Sequence, residues 1–128
     1  MYSPLFWIEW LDRLDRVLTS ARQDVAMLKR AVSPRGLEAI DRSKRQLSAL
    51  INDLRLLDRN VLASGTQNGA DHLQKALDTA VAQLGSLAEI PAASAPGVLD
   101  RMLAAVDAAL RDSCYEAAML LVPSRRRA

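Results

Sequence analysis

The chain has 128 residues, half of them apolar and 25% charged, the mix of one globular domain with a modest core. Its 17 Lys+Arg outnumber 15 Asp+Glu, but without Arg125, Arg126 and Arg127 the bases fall to 14. The basic excess therefore belongs to a short C-terminal run and not to a surface built for nucleic acid. A single cysteine, Cys114, and a single histidine, His72, exclude a disulfide framework, a cysteine zinc site and the paired Glu-x-x-His ligands of a di-iron bundle. No apolar run reaches the ~20 residues of a membrane-spanning helix. The apolar start, Met1 to Trp10, lacks a basic n-region and is interrupted by Glu9, so a cytoplasmic protein without a signal peptide is expected.

Alanine and leucine dominate the apolar residues, and Val, Ile and aromatics are scarce, which favours helix throughout. Trp7, Leu11, Leu14, Leu18, Ala21, Val25, Leu28 and Val32 follow one another at steps of four and three, an unbroken heptad seam. Ser3 and Pro4 open this first helix, over about 4–32. Pro34 disfavours helical geometry at Ser33, so the chain turns there. A second helix, 34–62, carries Ile40, Ser43, Leu47, Leu50, Leu54, Leu57 and Val61 on its seam, with Leu37 and Ile51 alongside. Two helices of this length, each ~40 Å, joined by so short a turn, lie antiparallel.

The run Ala63 to Gly69 reads as a loop, with Asn68 capping a third helix over 69–88. Leu73, Leu77, Ala80, Leu84 and Leu87 form its seam; Gly85 weakens its end, and Ser86-x-x-Glu89 is a capping-box pattern for a separate turn. After a small-residue linker from Pro91 to Gly97, a fourth helix covers 98–122. Leu99, Leu103, Val106, Leu110, Cys114, Ala117 and Leu121 are assigned inward, and Pro123 ends the helix. The expected fold is all-α: two antiparallel hairpins in an up-down-up-down four-helix bundle, one domain over 1–122 followed by a basic tail, 123–128.

Acids precede bases by four at Glu9–Arg13, Asp12–Arg16, Glu38–Arg42, Asp41–Arg45, Asp71–Lys75 and Asp107–Arg111. This is the favourable order on a helix surface, worth a few tenths of a kcal/mol each, and it reads as a solvated face. An enzyme needs a nucleophile with a base, paired carboxylates or metal ligands. His72 has no serine or cysteine to serve, the five glycines form no phosphate loop, and Cys114 falls on an inward face as a small apolar residue. A non-enzymatic protein with no cofactor and no metal is expected.

One apolar feature exceeds what a single core needs. Tyr115, Met119 and Val122, at steps of four and three, fall outside the inward seam of the fourth helix. Four of the five aromatics lie in the first ten residues: Tyr2, Phe6, Trp7 and Trp10. Trp7 is on the seam, whereas Tyr2, Phe6 and Trp10 repeat at steps of four along another face. In an up-down-up-down bundle these two clusters meet at one end and cover each other, or they face a partner; contiguous exposed apolar patches mark interaction surfaces. Tyr115, Met119, Val122, Phe6 and Trp10 are the candidate partner-binding residues.

The stretch Leu37 to Arg59, with Lys44, Leu47, Leu50, Leu54 and Arg59, resembles the second helix of the FlgN-type flagellar export chaperones. The opening Leu11-Asp12-Arg13-Leu14-Asp15-Arg16-Val17-Leu18 resembles that family's first helix. The resemblance covers about the first half of the chain. It implies a cytoplasmic chaperone that binds the amphipathic C-terminal helix of a secreted or flagellar client and delivers it to an export-gate protein. It also implies client contact through the C-terminal helix and gate docking through a tyrosine, a place that Tyr115 matches by position. The alternative is a homo-oligomeric structural or adaptor subunit of a larger complex, and a homodimer fits either reading.

Overall fold

The computed structural model describes the backbone of residues 4–56, 64–89 and 96–127 and the side chains of 7–56, 67–89 and 97–120. Four helices make up the fold: α1 (Pro4–Arg30), α2 (Pro34–Leu56), α3 (Ser64–Ala88) and α4 (Pro96–Arg127). Each packs on two others, α1 on α2 and α4, α3 on α2 and α4, and the diagonal pairs do not touch among the described residues. Neighbours run antiparallel. Along α1 and α2, Leu28 meets Gly36 while Asp24 meets Ser43. Along α2 and α3, Lys44 meets Gly85 while Arg55 meets Asp78. The molecule is thus the expected all-α up-down-up-down bundle.

The heptad pattern explains the core directly. Every seam residue of α1 from Trp7 to Leu28 is buried, and so are Ile40, Ser43, Leu47, Leu50, Ile51 and Leu54 of α2. Helix α3 contributes Ala70, Leu73, Leu77, Ala80, Leu84 and Leu87. In α4 the buried positions are Leu103, Val106, Ala109, Leu110, Ser113, Ala117 and Leu120. This corrects the expected seam. Its strict four–three spacing runs through Ser113 and not Cys114, and reaches Leu120. Ser113 tolerates burial because its hydroxyl donates to the Ala109 carbonyl one turn back, 2.9 Å away. Cys114 is left half-buried at the edge facing α1, and the Leu121, Leu57 and Val61 side chains lie outside the described residues.

Several helix ends differ from expectation. α1 stops at Arg30, and Val32, the last expected seam residue, is half exposed. The turn takes residues 31–33, and Ser33 caps α2: its Oγ accepts the Gly36 N–H at 3.0 Å and its carbonyl accepts the Leu37 N–H at 3.0 Å. α3 begins at Ser64, so Asn68 and Gly69 are inside the helix and not in a loop. Gly69 is there for space, since a Cβ on it would stand 2.5 Å from Leu120 Cδ2 of α4. α3 also runs unbroken through Gly85, over which the Lys44 stem lies, and the Ser86 hydroxyl donates to the Ala82 carbonyl and opens no new turn. Finally, α4 continues through Pro123 to Arg127. A proline there removes one intrahelical donor without ending the helix, so 123–127 extend α4 and do not form a separate tail.

Candidate functional site

The candidate surface is the outer face of α4. Its inner face is anchored by Val106, Leu110, Ala117 and Leu120, which fixes the opposite side toward solvent through the 3.6-residue period. On that side lie Ala104, Ala108, Tyr115 and Met119, all exposed. Tyr115 is 63% and Met119 56% exposed, one turn apart on the same ridge. Arg111 and Asp112, also exposed, flank them. Arg111 bonds Asp107 at 3.1 Å, and Asp107 also receives Lys29 of α1 at 3.6 Å. This charged edge separates the ridge from α1. Among the described residues the other exposed large apolar ones are Met27, Val32, Leu56 and Val98.

Of the five candidate residues, the structure brings Tyr115 and Met119 together at the surface. The Phe6 and Val122 side chains lie outside the described residues, as does Tyr2. Trp10 is a correction: it is only 2% exposed and belongs to the core. A helix with two neighbours buries a face wider than its seam, so the position three after Trp7 turns inward as well. The two indoles stack, with centroids 5.3 Å apart and planes within 5°. Both Nε1 donors are buried without an acceptor. The expectation that the aromatics meet Tyr115 and Met119 is not met for Trp7 and Trp10, which are core residues while that ridge is exposed.

Next to the ridge, burial pushes the Cys114 thiol above its ordinary value, with the Arg22 guanidinium acting against that rise. A thiol in this state is a weak nucleophile at neutral pH. A shallow groove of about 400 Å³ runs between α1 and α2, floored by Val17, Ala49 and Leu50 and rimmed by Arg13, Arg16 and Asp53. His72 is exposed on α3. Among the described residues no three His, Cys, Asp or Glu side chains are placed to hold a metal ion, and no helix is long and apolar enough to cross a membrane.

The charge pairs read from the sequence are formed at Asp41–Arg45 and Asp107–Arg111. Sequence spacing could not reveal the interhelical ties, Ser43 to Asp24 at 3.1 Å, Arg55 to Asp78 at 3.0 Å and Lys29 to Asp107, because they depend on helix register. Comparison with family models, with curated proteins and with solved structures finds no match to this chain.

Proposed function

We propose that the chain is a non-enzymatic binding protein that holds an amphipathic helix of a partner against the outer face of α4. The observation that supports this is the exposed Tyr115–Met119 pair, one turn apart on a face that also carries exposed Ala104, Ala108 and Ala118 and is flanked by Arg111 and Asp112. A tyrosine offers a large contact area with a hydroxyl handle, and a methionine adapts to irregular partner surfaces. Small residues beside them let a second helix approach closely, so recognition is helix against helix, read at steps of three and four. Together with the resemblance of the first half of the chain, this favours an export chaperone, its partner being the C-terminal helix of a secreted or flagellar client. Capture requires neither nucleotide nor metal.

The test is a pull-down of the tagged chain from its native lysate, read by mass spectrometry, with Met119→Glu as the control. Recovery of a secreted or flagellar protein with the parent and its loss with the variant supports the chaperone. Recovery of a stable assembly that ignores the variant overturns the α4 site. A second reading, a homo-oligomeric adaptor, draws on Ala104 and Ala108, whose small side chains equally admit α4 of a second copy. Light scattering separates the two: an adaptor keeps its oligomeric mass when a helical client peptide is added, whereas a chaperone forms a complex with it.

A further inference from the structure

We infer that a second copy of this chain covers the outer face of α4 in the free protein, the two α4 helices packing antiparallel about a twofold axis between Arg111 and Asp112. The inference rests on the reading of that face as the binding face, and it names the occupant that a client must displace. The face is complementary to itself on reversal. From the midpoint between Arg111 and Asp112, Tyr115 and Ala108 lie equally far in opposite directions, and so do Met119 and Ala104. All six residues are exposed. An antiparallel second copy therefore sets Tyr115 on its Ala108 and Met119 on its Ala104, a large side chain over a small one at each contact. At the axis, Arg111 and Asp112 of one copy meet Asp112 and Arg111 of the other, so the bases there face as many acids. The Arg111 guanidinium, bonded to Asp107 at 3.1 Å, has further donors for a second carboxylate.

Other alignments of the same faces lose this match. A parallel pair stacks Tyr115 on Tyr115 and Arg111 on Arg111. Sliding the antiparallel pair by one heptad keeps the same faces in contact, but in one direction it sets Tyr115 on Tyr115 and Arg111 on Met119. In the other direction Tyr115 meets Arg101 and Asp112 meets Ala104. A partner of unrelated sequence requires no such symmetry in α4, whereas a closed pair of identical chains does. From Arg101 to Met119 the face is about 27 Å long. A single helix face of that length is at the low end of interface size, which makes the pair reversible on dilution and leaves the face open to exchange.

Sedimentation equilibrium of the full chain tests this. Over roughly 1 to 300 μM the parent should pass from a 14.0 kDa monomer to twice that mass and no further. Arg111→Glu gathers only acids at the axis and Asp112→Lys only bases, so each alone should weaken pairing at least about ten-fold. Mixed in equal amounts, the two variants set acids against bases again, and pairing should recover by at least about ten-fold. Both positions are exposed, so helicity by circular dichroism should match the parent in each variant. A parent that stays monomeric at the highest concentration, a dimer that ignores both variants, or a mixture that pairs no better than its components overturns the inference. Client capture is read separately. A monomeric chain whose pull-down still depends on Met119 overturns the dimer alone and leaves the binding face of α4 standing.

Discussion

A Cβ on Gly69 would stand 2.5 Å from Leu120 Cδ2, so α3 and α4 approach each other there only because position 69 has no side chain. Gly69→Ala gains about 1 kcal/mol of helix propensity but forces buried Leu120 to move, at about 1–3 kcal/mol. The expected result is a net loss of about 1 kcal/mol in urea unfolding. Leu120→Ala alone should cost about 2–5 kcal/mol. The double variant should be more stable than the sum of the two losses predicts, by about 1 kcal/mol. Strict additivity would mean that the two residues do not share this contact.

The two buried serines should respond differently to the same substitution. Ser43 donates across the α1–α2 interface to Asp24 at 3.1 Å, so Ser43→Ala removes an interhelical bond and should cost about 1 kcal/mol. Ser113 donates within its own helix to a carbonyl that lies one turn back. Ser113→Ala should therefore leave stability within about 0.5 kcal/mol of the parent, or raise it, since alanine is the better helix former. Urea midpoints of the two variants decide the point.

These serines also show where the sequence is legible. The heptad spacing of α1, α2 and α3 marks their buried residues because leucine recurring at steps of four and three lines one stripe of a helix, which must be covered. In α4 the same spacing is obscured by a serine on the seam beside a cysteine off it. Ranking by hydrophobicity chooses Cys114 over Ser113, and a local hydroxyl-to-carbonyl bond reverses that choice. Gly69, Gly85 and Pro123 read as breaks for a similar reason. Local propensity treats glycine as a terminator, whereas at Gly69 it answers to Leu120 of another helix. A two-position seam places Trp10 outward because it is narrower than the face that two neighbouring helices bury. The Tyr115–Met119 ridge, by contrast, follows directly from the period.

Core and ridge should separate cleanly under substitution. Leu54 is 1% exposed, and Leu54→Ala should cost about 2–5 kcal/mol as a core truncation. Met119→Glu places a charge on a residue that is already 56% exposed, and should change stability by no more than about 0.5 kcal/mol. Circular dichroism melts of both variants check this. A large loss at Met119 would place the ridge in the core and remove the proposed binding face.

The Arg45 guanidinium bonded to Asp41 holds that carboxyl below its ordinary value of 3.8, with burial acting in the opposite direction and Lys44 adding a smaller pull downward. Because the folded pKa lies below the unfolded one, the pair contributes to stability above the ordinary carboxylate range. That contribution is lost as the pH falls through the folded value. Arg45→Gln should return the Asp41 titration to 3.8 or above, because the upward push of burial exceeds the downward pull of Lys44. Carbon-detected NMR of the carboxyl follows the shift, and an unchanged titration would mean that the pair is not populated in solution.

For Cys114 the sign is opposite. Burial raises the thiol above its ordinary 9.0, so the neutral form is favoured in the fold. Its contribution to stability is complete below the unfolded thiol value and is lost as the pH rises from there toward the folded one. At neutral pH the thiolate is scarce, and labelling by Ellman's reagent should be slower than that of an unfolded cysteine control. Arg22 opposes the rise through its charge and a hydrogen bond to the thiol. Removing it in Arg22→Ala should push the titration higher still and slow labelling further at mildly alkaline pH. Faster labelling in that variant would mean instead that Arg22 acts mainly as a cover over the thiol, with access and not ionisation controlling its reactivity.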